Sequence, residues 1–348
     1  MATIKEIAKM ADVSTTTVSN VLNGKPGAAS EAKAQEIFAL AKKLAYTPNA
    51  LAKSLKQRKS NSIGIITEDL TVFNAPEIVD GIDACCEEHG YEILLANMRL
   101  FKRYHNNFTD TPQHQTLLNE LVRNLIAKQV EGLIYVGYHC REIHCLPVNL
   151  SVPIVYAYCF PRNMIYPAVM YNDEKAAYDV ACCLIGKGHR SIGVMSGPLT
   201  SFHSQSRLRG VQKALFDHAV LYNADAVRYG DWTRDAGYES AKELVEQGCT
   251  AIFAFNDLMA SGVYEWCSEH GLEVGSDISL FGFDNRDISC GYTHKISTVE
   301  PPLNEIGRAS AELVLREVGG EKVKPERLLI PCRILERGSI GPLKTPSP

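Results

Sequence analysis

Seven short apolar runs recur between helix-length segments from Ser62 onward: SIGIIT (62–67), EILLA (92–96), GLIYVG (132–137), PIVYAY (153–158), SIGVMSG (191–197), TAIFAF (250–255) and ISLFGF (278–283). Continuous apolar strands of this kind are buried on both faces, and helical segments between them are the crossovers of parallel βαβ units. Seven such units exceed one ordinary open sheet. The pattern therefore predicts two successive doubly wound parallel-sheet lobes, with the chain crossing between them near Phe160–Tyr166.

The first sixty residues have a different texture. Thr3 precedes an apolar set at Ile4, Ile7, Ala8 and Ala11, with Glu6 three residues on, which is the spacing of a capping box. Asp12 falls where that helix should stop and tolerates a left-handed turn. Ser14 can cap a second helix with Val18, Val21 and Leu22 inward and Thr15, Thr16, Ser19 and Asn20 outward, and Asn23-Gly24 supplies its stop. Small polar residues at the exposed start of a second helix suit base-edge contact in a major groove; the alternative is a helical hairpin with a solvated face. Ser30 opens a third helix, EAKAQEIFALAKKLAY, whose Ile37, Leu40, Ala41 and Leu44 can cover the first two. Asn49 can cap a very short segment, ALAKSLK, and Gln57–Ser62 reads as a polar linker.

Charge favours the nucleic-acid reading. Residues 1–60 hold ten Lys or Arg against four Asp or Glu, a balance of +6, whereas the whole chain carries 36 − 40 = −4, leaving about −10 on the remainder. A basic head on an acidic body is the electrostatic footprint of a DNA-binding module.

Other classes find less support. No stretch approaches twenty apolar residues and the amphipathic N-terminus is not a signal peptide, so a soluble cytoplasmic protein is expected. The eleven cysteines are scattered without a CxxC, which fits a reducing compartment. His139-Cys140 and His144-Cys145 bring ligand types close together, but a loop with incidental Cys and His is the simpler reading, and no metal or cofactor is expected. Walker, HExxH and GxSxG patterns are missing, and Gly186-Lys187-Gly188 follows a helix rather than a strand, the wrong context for a dinucleotide site. An enzyme is not indicated.

Six strings in order, TIKEIAKMADVSTTTVSNVLNG, AYTPNALAKSL, GHRSIGVMSGP, RLRG, FNDLMASG and GSDISLFGFDN, resemble the lac-repressor/galactose-repressor family of bacterial transcription regulators from Thr3 to about Gly338. The resemblance implies an all-α helix-turn-helix headpiece, a hinge helix and an α/β periplasmic-binding-protein-like core of two lobes. It also implies a homodimer that binds near-palindromic operator DNA under control of a small effector, expected to be a sugar or, alternatively, a nucleobase-like metabolite. Since such lobes share several hinge strands, the chain should cross back after Thr298. The implied boundaries are 1–47 for the headpiece, 48–61 for hinge and linker, 62–161 plus about 299–325 for the first lobe, 162–298 plus about 326–340 for the second, and 341–348 for a disordered tail.

Carried over by position, Thr15, Thr16 and Asn20 would meet bases, while Ser14, Thr17 and Ser19 would touch phosphate; Thr3, Asn23 and Asn49 join this DNA-facing set. Asn can bond an adenine edge in bidentate fashion and a Thr methyl can pack on a thymine methyl. The family often has Arg where Asn20 stands and Gly where Asp12 stands, so the half-site should depart from the commonest pattern. Leu55 matches a leucine that wedges into the minor groove. Its segment is too short to be a stable helix alone and should fold only when paired on DNA. Asn256-Asp257 and Asp284-Asn285 each follow a strand, where ligands bind in open α/β sheets. The resemblance assigns Arg207, Asn256, Asp284 and Trp232 to the effector, with Phe73, Asn74, Tyr138 and Tyr158 from the first lobe. Asp257 is expected to cap its helix, and an interlobe salt bridge is the alternative role for Arg207 and Asp284. Residues 99–116 form a longer, more aromatic connection than is usual for the family, read as a surface elaboration.

Overall fold

In the computed structural model, residues 3–46, 60–104, 111–147 and 150–343 are described. The chain divides into two compact units between Ser60 and Asn61. Asn49, Leu55 and most of the segment read as a hinge lie outside the described residues, as does 344–348.

The first unit contains α1 (Ile4–Met10), α2 (Thr15–Leu22) and α3 (Glu31–Lys43). Each start follows from its cap. Thr3 and Glu6 form the full reciprocal capping box, and the Ser14 and Ser30 hydroxyls accept the amides of Thr17 and Lys33. Asp12 takes the left-handed turn between α1 and α2, at φ 46°. Ile7, Ala8, Ala11, Val18, Val21, Ile37 and Ala41 form the small core, and Lys33 Nζ ties α3 to α1 by donating to the Ala11 carbonyl (3.0 Å).

The second unit runs β1 (Ser62–Thr67), α4 (Asn74–Glu88), β2 (Glu92–Asn97), α5 (Leu100–Tyr104), α6 (Pro112–Ala127), β3 (Gly132–Val136), β4 (Glu142–Ile143), β5 (Ile154–Ala157), β6 (Phe160–Pro161) and β7 (Ala168–Tyr171). It continues through α7 (Asp173–Gly186), β8 (Ile192–Ser196), α8 (Phe202–Asp217), β9 (Val227–Tyr229), α9 (Arg234–Glu246), β10 (Ala251–Ala254), α10 (Asp257–Glu269) and β11 (Ser279–Phe281). β12 (Thr298–Glu300), α11 (Leu303–Val318), β13 (Arg327–Ile330) and β14 (Arg333–Leu335) complete it.

Two parallel sheets define two lobes, one in the order β13-β7-β5-β3-β1-β2 and the other β11-β10-β8-β9. The seven expected runs are strands. The expected crossing near 160–166 is corrected: β7 pairs with β5 and β13, so the first lobe's sheet extends to Tyr171 and recruits residues 327–330, which had been assigned to the second lobe. AVMY and RLLI are four-residue strands whose place is set by their neighbours rather than by length. The lobes are joined at 171–173, 300–303 and 330–333, and β12 and β14 pair antiparallel beside these crossings. The tail is corrected in part. Gly341 and Leu343 are anchored, the Gly341 amide by Ser279 Oγ (3.0 Å) and the Leu343 amide by the Lys187 carbonyl (2.9 Å).

Glycine sets the closest helix contacts. A Cβ at Gly81 of α4 would strike the Asn304 carbonyl of α11, and one at Gly307 of α11 would strike the Ile78 carbonyl of α4. Gly237 and Gly262 hold α9 against α10 in the same reciprocal way. Such backbone contact leaves no room for added side-chain volume.

Candidate effector cleft and DNA-facing helix

Strand ends from both lobes meet at a polar cleft. The start of α8 carries Arg207 into its floor, where the residue is only 2% exposed. Arg207 Nε donates to Asp173 Oδ1 (2.7 Å), one Nη donates to the Tyr171 hydroxyl (2.9 Å), and the other reaches the Phe255 carbonyl. Its guanidinium also lies 3.4 Å from the centroid of the Phe283 ring. Burial opposes the charge, but Tyr171, Asp173 and Asp284 outweigh it, so Arg207 stays protonated. The Asp173 carboxyl is held below the usual range because His203 and Arg207 overcome its desolvation.

His203 continues this network. Its Nδ1 sits 2.8 Å from Asp173 Oδ2, and its Nε2 accepts the Cys140 amide (3.4 Å) and lies 3.2 Å from the Tyr158 hydroxyl. Those bonds assign the proton to Nδ1 in a neutral ring. His203 thereby joins the second lobe to the first. His139 packs edge-on against it, with ring centroids 4.4 Å apart, and burial pushes the His139 pKa down to about 3.

The first-lobe wall is held by a buried carboxylate at the end of β1. Arg141 grips Glu68 through two bonds (2.7 and 2.8 Å), and Glu68 also receives the Tyr135 hydroxyl (2.5 Å) and the Tyr138 amide (2.8 Å). Arg141 in turn stacks 4.7 Å above the Tyr138 ring, which meets Phe101 edge-on at 5.3 Å. The segment read as a surface elaboration therefore sends Leu100 into the core and Phe101 to the cleft wall. Residues 105–110 lie outside the described residues.

The expected cap of α10 is corrected, and Asn256 and Asn74 have partners within the protein. Asn256, not Asp257, caps α10: its side-chain oxygen accepts the Met259 amide (2.8 Å), while its amide donates to the Trp232 carbonyl (2.9 Å). Asp257 lies inside the helix and accepts the Arg286 amide and the Thr298 hydroxyl (both 2.7 Å). Burial raises its pKa to about 6. Asn74 is buried and donates to the Gly137 carbonyl (3.4 Å), bracing the wall. Trp232 is positioned by a left-handed backbone (φ 73°) and lies flat against Gly197, where any Cβ would collide with the indole.

Phe73 and Asp284 line a cavity of about 480 Å³ with Glu77, Arg286 and Leu303. Arg286 lies 4.8 Å above the Phe73 ring. Asp284 also sits in a left-handed conformation (φ 101°), and burial pushes its carboxyl up to about 8 despite the attraction of Arg207. The Arg207–Asp284 salt bridge weighed from the sequence does not form; Asp173 takes that place. Asp173, Tyr171, His203 and the Glu68–Arg141 pair were missed by sequence reasoning. Asn172-Asp173 after AVMY and Glu68-Asp69 after SIGIIT, polar pairs directly after apolar runs, are signals that could have found Asp173 and Glu68.

The Cys140 and Cys145 thiols point to separate partners, the Met170 sulfur and the Thr111 carbonyl, and no metal-binding cluster occurs among the described residues. On α2, Thr15 and Thr16 are exposed, and Asn20 is half-buried. Ser14 is bonded to Thr17, and Asn23 folds back onto the Ser19 carbonyl (2.7 Å). These bonds make Ser14, Thr17, Ser19 and Asn23 parts of the helix ends as well as polar surface.

A capped helix-turn-helix unit on a two-lobed, cleft-bearing α/β core defines the class of ligand-responsive DNA-binding regulators. Residues 3–49 match bacterial regulatory proteins of the lacI family, and residues 182–340 match the periplasmic binding protein-like domain. The chain is 30% identical to catabolite control protein A of Priestia megaterium, over 97% of this chain and 98% of that one. It is also 30% identical to the HTH-type transcriptional repressor PurR of Escherichia coli O139:H28, over 99% of both. The structure of the lac repressor dimer bound to operator and the anti-inducer ONPF aligns with a TM-score of 0.78 at 26% identity, over 98% and 99% of the two chains. The chain belongs to the lacI family of bacterial regulatory proteins. It is a DNA-binding transcriptional regulator with an effector-binding core, not an enzyme. Among the described residues no helix is long and apolar enough to cross a membrane.

Proposed function

We propose that the chain is a dimeric repressor whose operator affinity is set by a small effector, a sugar or sugar derivative, held between the core lobes in the cytoplasm. The observation that carries this is the cleft: strand ends of two sheets bring Arg207, Tyr158, Trp232 and Tyr138 together, and Phe73 and Asp284 line a cavity of the size small-molecule sites occupy. Aromatic faces beside hydrogen-bonding groups suit the apolar and hydroxyl surfaces of a polyol. Two-fold symmetry of a dimer predicts a near-palindromic operator, with Thr15, Thr16 and Asn20 reading bases and Ser14, Thr17 and Ser19 fixing register on phosphates.

PurR and the lac repressor are both relatives, so a nucleobase-like effector is the second reading. A gel shift on genomic fragments, with and without sugars and nucleobases, tests the assignment. A palindromic fragment should shift and be released or tightened by one ligand class. Failure to shift any fragment would end the regulator reading. Leu55→Ala should weaken specific binding while sparing the salt-sensitive nonspecific component.

A further inference from the structure

One turn of helix reaches from the second lobe into the first. Gly210 packs α8 so closely on α7 that a Cβ there would strike the Glu174 carbonyl, which fixes α8 within its own lobe. Ser201 caps α8, and the first two helical residues, Phe202 and His203, meet the first lobe. The Phe202 ring lies edge-on to Phe160 at 5.3 Å and packs on the first-lobe core, where the Arg327 guanidinium sits 3.6 Å above Phe160. Beside it, His203 Nε2 accepts the Cys140 amide (3.4 Å) and lies 3.2 Å from the Tyr158 hydroxyl, both from the first lobe. Tyr158 holds a left-handed backbone, φ 61°, at this contact.

We propose that Phe202 and His203 form a pH-operated latch between the lobes, seated while His203 is neutral and released when Nε2 takes up a proton. The chemistry is one of roles. Nδ1 already donates to Asp173, so Nε2 is the acceptor that the ring offers the first lobe. A proton there turns it into a donor. The Tyr158 hydroxyl can rotate to accept, but the Cys140 amide can only donate and is left facing an N–H. Phe202 then holds the seat alone.

The groups around the ring set the direction. From the first lobe it faces His139, edge-on at 4.4 Å, the Tyr158 hydroxyl and Cys140, whose thiol is turned to the Met170 sulfur. Tyr171 stacks on it at 5.6 Å, and the second lobe contributes Asp173 and Arg207. Burial disfavours the imidazolium most, Asp173 favours it and Arg207 opposes it, so the seated ring titrates below its ordinary 6.5. Released into water, it returns to that range. A base depressed in the seated form keeps the latch closed above 6.5 and loosens it as pH falls below, approaching about tenfold in the seating equilibrium per pH unit. His139, depressed in the same way, adds to the loss with the same sign. The latch lies in the cleft assigned to the effector but holds for any ligand class, so the two readings fail separately.

Hydrogen exchange of the full-length protein, read by mass spectrometry from about pH 8 to about pH 5.5 and corrected for the intrinsic rate, tests this. Residues 138–143 and 201–206 should lose protection together below 6.5. Strands β1 and β8, inside the two lobes, should keep theirs. His203→Gln retains an acceptor that does not titrate and should lower the pH response of both segments. Tyr158→Phe removes one seating bond and should raise exchange in both segments even at the alkaline end. Protection that does not change with pH, a slope in His203→Gln equal to the native one, no rise in Tyr158→Phe, or loss in β1 and β8 alongside the latch overturns the inference.

Discussion

Arg207 and Asp173 form the buried charge pair at the floor of the cleft, with Nε 2.7 Å from Oδ1 and side-chain exposures of 3% and 2%. The pair links the start of α7 to α8 inside the second lobe, and through the Tyr171 hydroxyl it reaches the last strand before the first crossing. Removing one charge strands the other. Asp173→Ala should cost about 3–5 kcal/mol of core stability in urea unfolding, whereas the double change Asp173→Leu with Arg207→Met should cost clearly less. Equal losses would show that packing, not charge, decides.

Glu68 and Arg141 allow a test by the sign of a pH slope. Burial raises the Glu68 pKa, but Arg141 overcomes this, so in the folded state it lies below its ordinary value. Its contribution is therefore present above about 4.5 and lost as pH falls below. In Arg141→Met burial is opposed only by the Tyr135 hydroxyl and the Tyr138 amide, and the Glu68 pKa should rise. Stability should then decline as pH increases above the ordinary glutamate range. Thermal melts across that range would show a reversed slope at this site, and an unchanged slope would contradict the assigned pairing.

The two cleft histidines should make the core acid-sensitive. Burial lowers the pKa of both, His139 to about 3, so each favours its neutral form when folded. A group depressed in this way contributes stability that is full above 6.5 and is lost as pH falls below it. Melting temperature should therefore fall on acidification from 6.5. The fall should be shallower in His139→Gln, which removes the titration while keeping a polar side chain. A parallel curve for the variant would place the acid sensitivity elsewhere.

On α2, Asn20→Ala should reduce affinity for the specific operator by about 1–3 kcal/mol, the worth of one bidentate base contact, and relax preference at one position of each half-site. Its nonspecific binding and salt slope should change little. Loss that is uniform across sequences would reassign Asn20 to the phosphate backbone.

The strands were legible wherever a run was long and continuously apolar, because burial on both faces leaves that mark without reference to partners. β7 and β13 escaped because four residues carry little periodicity, and their place between sheets is decided by the neighbours they pair with. The headpiece caps could be read directly, since Thr3, Ser14 and Ser30 act within three residues of themselves. The cleft was legible as positions but not as roles. Arg207 was assigned to the effector, with a bridge to Asp284 as the alternative, yet a carboxylate 34 residues earlier in sequence takes its Nε. Asn256 takes the capping duty expected of Asp257, because their partners, the Trp232 carbonyl and Thr298, are not local to them.

The glycine contacts between α4 and α11 and between α9 and α10 remove the slack by which packed helices slide past each other. Strain arriving at the cleft then has little to dissipate it within either lobe. It is delivered to three short stretches of chain, at 171–173, 300–303 and 330–333, beside the β12–β14 ladder. A substitution in that ladder would leave both the grip on the ligand and the reading of DNA as they are, and change only the gain with which one is converted into the other.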